Sequence, residues 1–304
     1  MKKINKMKIR HFFMGKSFND GFIGKLSIYL LLIIIGFVYI YPLLKMFAYS
    51  LKDLEDLVNP TVQWIPTKVY LGNYKISFIV LNYGMTLIFS LLVTLVPAVL
   101  QTITTSLIGY ALAKFKVRGR TIIFAIILLT YLLPVQVYMI PRYVLFDQLG
   151  ILETAWAIIL PALFGQGLSS AIFILIFYQF FRMQPKALDE SAEIDGANAF
   201  QTFIKIGVPL AGPAYLTAFL FSFVWYWNET YVSSLFIGSD LYTLQLKLFN
   251  FTSQFNMAQG ISEQALNEAI RYSATILIIL PVLLVYVVMQ KWFVEGIDRT
   301  GITG

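Results

Sequence analysis

Six long apolar runs set the pattern of this chain, at about 22–44, 83–113, 121–141, 156–181, 210–236 and 272–293. Each is near the roughly 20 residues that a helix needs to cross a hydrocarbon core of about 30 Å. The short alternating segments of a membrane barrel are absent, so the pattern predicts helices, which satisfy their own backbone in lipid. Pro97, Pro134, Pro161 and Pro281 fall inside these runs and are expected only to bend their helices. Gln101 is expected to join helices by hydrogen bonding.

One polar stretch breaks the pattern between the fourth and fifth runs. "PKALDESAEIDGANAFQTFIKIGVPLAGP", Pro185 to Pro213, carries Asp189, Glu190, Glu193 and Asp195 in a chain otherwise short of charge. Pro185 suits the start of a helix, acidic side chains suit its positive N-terminal end, and Gly196 suits the left-handed residue that ends it. Ala199, Phe203 and Ile206 then share one face of a second short helix, expected to stop at Pro209. The reading over 185–208 is a helical hairpin with an apolar face to cover, the plainer alternative being a loop resting on lipid headgroups.

Composition supports a membrane protein. The chain is 58% hydrophobic and 13% charged, with a mean hydropathy of +0.73, where ordinary globular proteins carry about 25% charged residues. Residues 1–25 form a basic tail, with Lys2, Lys3, Lys6, Lys8, Arg10, Lys16 and Lys25, and residues 26–304 the transmembrane part. The first apolar run is too long for a signal peptide and is read as a retained span. Lys114, Lys116, Arg118 and Arg120 crowd the connection between the second and third runs, so this connection, the hairpin and both termini are expected in the cytoplasm. The basic residues are thus membrane flanks, and nucleic-acid binding is not indicated. The fold class expected is an all-α membrane protein of six transmembrane helices.

Chemistry-bearing patterns are few. The chain has no cysteine and one histidine, His11, which excludes thiolate chemistry and leaves no histidine cluster for a catalytic metal. Gly15-Lys16-Ser17 lacks the upstream glycine of a phosphate loop. "GLSS", Gly167 to Ser170, has no base to activate a serine and suits close helix packing. The runs are nearly free of the ionisable groups that an ion-coupled secondary transporter carries, and no internal duplication is evident. Trp225, Trp227, Asn228 and Glu229, with Gln136, offer aromatic faces and polar groups of the kind that hold a sugar. The same tryptophans also suit an ordinary interfacial belt. Glu229, about 28 Å along a helix from Leu210 at 1.5 Å per residue, is expected near the outer rim.

The hairpin carries a resemblance. "ESAEIDGANAFQTFIKIGVPL" resembles the cytoplasmic coupling motif of ATP-binding-cassette importer permeases, with Glu190, Ala192, Asp195, Gly196, Ala197, Phe203, Pro209 and Leu210 in the positions of the carbohydrate-uptake branch and Ser191 in place of an alanine. "WIPTKVYLGNYK", "GYALAKFKVRGR", "QVYMIPRYVLFDQLGILET" and "WYWNE" resemble, in order over residues 64–229, further segments of that family. The chain is similar to a maltose-type permease subunit, the shorter six-span partner of a heterodimer. The resemblance implies the type I importer permease fold in a bacterial cell membrane. It also implies a second permease, two ATPase subunits docking on the coupling hairpins, an extracytoplasmic sugar-binding protein and a carbohydrate substrate, within membrane lipid. This chain would bind no nucleotide: ATP and magnesium would sit on the ATPases. Glu190 is expected to make a polar contact with an ATPase, Ala192 to be small because the two proteins approach closely there, and Gly196 to supply the break. A non-sugar solute is the alternative cargo.

Overall fold

The computed structural model describes residues 21–238, 242–251, 255 and 264–301. Most of the basic tail, with His11 and Gly15-Lys16-Ser17, and the C-terminal Gly304 lie outside the described residues. Among these, every regular element is helical: α1 Phe22–Ser50, α2 Leu54–Val58, α3 Gly72–Val80, α4 Tyr83–Lys114, α5 Arg120–Leu132, α6 Val135–Gln148, α7 Trp156–Leu163, α8 Ser170–Met183, α9 Lys186–Ile194, α10 Ala199–Thr202, a wide turn Phe203–Gly207, α11 Val208–Leu210, α12 Gly212–Asn228, α13 Tyr231–Phe236, α14 Leu244–Phe249 and α15 Gln264–Gly301. The chain divides into two compact units, Met1–Ile76 with Ser262–Ile276, and Ser77–Ile261 with Leu277–Gly304.

In the first unit, the segment after α1 is fastened by buried polar groups. The Asn73 amide donates to the carbonyls of Ser50 and Lys52 at 3.0 and 2.8 Å, and Ser50 Oγ pairs with the Tyr74 hydroxyl at 2.8 Å. Lys52, 1% exposed, donates to the carbonyls of Val62 and Gln63 at 2.6 and 2.9 Å and lies 4.1 Å from the Tyr49 ring centre. Burial lowers its pKa from the ordinary lysine value, and the nearby Asp56 charge opposes that shift.

The second unit is built on α4. The small residue Gly109 lets α8 approach closely: a Cβ there would lie 2.7 Å from the Phe177 Cβ and 2.9 Å from the Tyr178 nitrogen. Tyr110, Phe173, Phe177, Phe181 and Phe203 form an aromatic core against Ala211, Ala214 and Ala218, and Tyr215 donates to Ser106 Oγ at 2.7 Å.

Among the described residues, three helices are long and apolar enough to cross a membrane: Phe22–Ser50, Tyr83–Lys114 and Glu268–Lys291. They contain the first, second and most of the sixth apolar runs. The other three runs are not single straight helices. The third is α5 and α6, bent by 97° at Leu133-Pro134. Pro134 was expected only to bend its helix; instead Leu133 is driven to φ −69°, ψ 124°, because a residue before proline avoids the helical region. The fourth is α7 and α8, separated at 164–169, and the fifth is α12 and α13, separated at Glu229-Thr230.

A break in an apolar run leaves backbone groups that lipid cannot satisfy. At 164–169 the protein supplies the partners itself. Leu168 N–H donates to the Tyr226 hydroxyl at 3.1 Å, Gln101 Nε2 donates to the Leu168 carbonyl at 2.8 Å, and the Tyr226 hydroxyl donates to Gln101 Oε1 at 2.7 Å. Gln101 also donates to Ser222 Oγ at 3.2 Å and is fully buried. Gly167 lies so close to Gln101 and Tyr226 that a Cβ would collide with both. The small residues of "GLSS" thus pack under a polar knot joining α4, α12 and the break.

Candidate functional site

The hairpin between α8 and α12 begins after Pro185 with α9. It ends in a left-handed cap: Gly196 has φ +77°, its N–H donates to the Glu193 carbonyl at 3.0 Å, and Ala197 N–H donates to the Ala192 carbonyl at 2.9 Å. This paired closure is the Schellman arrangement, which needs a residue at positive φ, where glycine costs least. No atom lies within 4 Å of a Cβ built on Gly196, so conformation rather than space selects glycine there. The next helix restarts with reciprocal caps, Gln201 N–H to Asn198 Oδ1 and Asn198 N–H to Gln201 Oε1, both at 2.9 Å.

The second arm does not stop at Pro209. It runs through the wide turn Phe203–Gly207 and α11 to Leu210, then turns by 79° into α12. Proline lacks an N–H and its ring collides with the carbonyl four residues back, here Lys205. The helix absorbs this by widening, with Val208 N–H bonded to the Phe203 carbonyl.

Two ties fix the hairpin to the helices behind it. Phe203, 4% exposed, packs on Tyr110 and Phe181 with ring centres 4.9 and 6.1 Å away. Lys114, at the end of α4, donates to Asp189 Oδ2 at 2.6 Å, with side chains 12% and 23% exposed. This pair spans 75 positions in sequence and was not expected from it. Phe203 was assigned to partner coupling; its ring faces this chain's own core.

Ala192 is buried by its own chain. What the hairpin leaves uncovered is a mixed surface: Glu190, Glu193, Asp195 and Pro209 are exposed, as are Ile194 at 86% and Phe200 at 65%. Ile194 and Phe200 are the residues the sequence reading missed. Two large apolar side chains in an acidic hairpin, off the face assigned to packing, were the available signal.

The five residues proposed for a sugar path are mostly engaged elsewhere. Trp227 is 2% exposed and stacks on Phe223 at 6.0 Å, so it is not open to a ligand. Trp225 is half-buried against Phe173 at 5.2 Å. Glu229 spends both carboxylate oxygens, each accepting at 2.7 Å from Val232 or Ser233 N–H, and so caps the start of α13. Asn228 is exposed and donates to the Val224 carbonyl at 2.8 Å. Gln136 is exposed on α6. No hydrogen bond or ring contact joins it to the other four among the described residues.

An all-helical membrane component built on broken spans and a helical hairpin is the class this geometry defines. The model of the family described as "Binding-protein-dependent transport system inner membrane component" matches residues 105–299, and the chain belongs to that family. It is 30% identical over 277 residues to the polygalacturonan/rhamnogalacturonan transport system permease protein YtcP of Bacillus subtilis (strain 168), covering 88% of this chain and 94% of that protein. It is 26% identical over 274 residues to the arabinooligosaccharides transport system permease protein AraQ of Halalkalibacterium halodurans, covering 89% and 93%. Its fold is similar to a chain in the crystal structure of a bacterial ABC transporter involved in the import of the acidic polysaccharide alginate, with TM-score 0.70 and 23% identity over 89% of this chain and 96% of that one.

Proposed function

We propose that this chain is a permease subunit of an ATP-driven, binding-protein-dependent importer of a sugar or oligosaccharide. It forms the translocation path with a second permease, and two ATPase subunits dock on the cytoplasmic hairpins. In this reading the chain crosses the membrane six times with both termini in the cytoplasm. The three runs that the fold breaks each count as one span. ATP and magnesium belong to the ATPase subunits and a carbohydrate-binding protein delivers cargo from outside. The relatives' names, which specify polygalacturonan, rhamnogalacturonan and arabinooligosaccharides, support a carbohydrate cargo.

The observation that carries the reading is the hairpin's two-sidedness. One side is locked to α4 and α8 through Lys114–Asp189 and Phe203; the other presents Ile194 and Phe200 with Glu190 and Glu193 to the surroundings. A partner that grips the exposed side moves helices through the locked side. Such movement switches spans as rigid bodies between two openings, as gated transporters do. Purification of the tagged chain in mild detergent tests this: a second permease and an ATPase should accompany it, and labelled oligosaccharide uptake should require all three. Recovery of the chain alone, with uptake driven by an ion gradient, would replace this reading by a secondary transporter.

A further inference from the structure

Among the described residues, Arg142 is a cation without a hydrogen-bond or ion-pair partner. It lies on α6, the second half of the bent apolar pair. Its guanidinium rests over two aromatic rings, with the Cζ atom 5.1 Å from the centre of Phe146 and 5.6 Å from that of Phe236. Those rings pack on each other at 5.2 Å and are 5% and 0% exposed, so they form a fixed platform. Tyr143 stacks on Phe236 from the same helix at 6.2 Å.

No residue accepts a hydrogen bond from Arg142 or forms an ion pair with it among the described residues. Tyr138, Tyr226 and Glu229 lie within its electrostatic reach. Two of the three are committed: the Glu229 oxygens accept from Val232 and Ser233, and the Tyr226 hydroxyl donates to Gln101 and accepts from Leu168. Arg142 stands just beyond the end of the third apolar run, and its side chain is only partly exposed. Aromatic faces hold the plane of a guanidinium without using its N–H groups. All five donors therefore stay available in the fork geometry that matches a carboxylate.

Resting on the carbohydrate-import reading, we propose that Arg142 on its Phe146–Phe236 platform binds the carboxylate of an acidic sugar, so that the cargo is an oligosaccharide containing uronate residues. The guanidinium takes the carboxylate by two parallel N–H···O bonds, and the neighbouring Tyr143 offers an aromatic face to the sugar's C–H surface. Sugars lacking the carboxylate leave the fork unfilled.

The test compares trigalacturonate with maltotriose. Binding to the purified transporter without its binding protein is followed by saturation-transfer NMR, and uptake is followed in cells carrying the complete system. The wild type should bind and import trigalacturonate in preference to maltotriose. Arg142→Gln should lower trigalacturonate binding at least tenfold relative to maltotriose, and Arg142→Lys should recover part of it, keeping the charge but losing the fork. An equal fall for both sugars, or no fall, would make Arg142 a packing residue and overturn the inference. So would a wild type that prefers maltotriose, a result that stands even if the glutamine variant fails to assemble and that leaves the carbohydrate reading intact. Uptake of neither sugar by the assembled wild type would remove the carbohydrate reading and this inference with it.

Discussion

Two regions looked equally rich in functional chemistry, the hairpin at 185–210 and the segment Trp225–Glu229, and the fold treats them in opposite ways. In the hairpin the backbone satisfies itself through the Gly196 closure and the Asn198–Gln201 caps, leaving Glu190, Glu193, Ile194 and Phe200 exposed. At the end of α12 the same residue types are absorbed: Trp227 into packing, Glu229 into capping, and Tyr226 into the knot with Gln101 and Leu168. Side chains suited to binding indicate a site only where the fold has left their surfaces free.

The difference implies that damage to the second region should appear as lost stability and damage to the hairpin surface as lost partnership. The largest stability effect is expected from Trp227→Ala, which empties a site 2% exposed; large-to-small changes of this kind cost about 3–5 kcal/mol. The thermal midpoint of the purified transporter should fall sharply. A variant of normal stability with weakened sugar uptake would restore Trp227 as a ligand residue and erase the contrast.

Gly196→Pro comes next. It denies φ +77° and removes the N–H that bonds Glu193, and a residue forced from such a conformation costs about 1–3 kcal/mol. Because the cost is confined to the hairpin, membrane insertion should be retained while stimulated ATP hydrolysis falls more than tenfold. Hydrolysis at the wild-type level would show that the hairpin's geometry plays no part in coupling.

Glu229→Ala should cost about 1 kcal/mol, the usual value of a lost helix cap, because Val232 and Ser233 lose their acceptor. The midpoint should drop by a few degrees with the sugar KM unchanged. A raised KM at unchanged midpoint would return Glu229 to the substrate path.

The Lys114–Asp189 pair sharpens the locked side of the hairpin. Lys114→Met and Asp189→Asn should each lower stability by about 1 kcal/mol, the range measured for partly exposed ion pairs, and the double variant should be no worse than either single one. Fully additive losses would show that the two side chains act independently.

Ile194→Ser should have the smallest effect on stability, within about 0.5 kcal/mol, as for an exposed position without internal contacts. Recovery of the ATPase with the tagged chain should nevertheless fall. Undiminished recovery in Ile194→Ser and in Phe200→Ser alike would mean that the exposed face has no partner.

What the sequence determined by itself was local. Apolar runs of membrane length follow from the hydrocarbon thickness, and the first helix of the hairpin and its break follow from Pro185 and Gly196, whose conformational preferences act over a single turn. The tertiary structure decided the rest. A run apolar on every side does not reveal which neighbour covers it, so the burial of Trp227 could not be read from periodicity. Pro134 signals a disturbed helix, but a 97° break holds only when the surrounding elements have somewhere to send the chain. The gap at 164–169 survives because Gln101 and Tyr226, remote in sequence, arrive to satisfy Leu168. Lys114 meets Asp189, and Arg142 forms no ion pair among the described residues, because packing alone sets which charges approach one another, through interactions that fall off over a few ångströms.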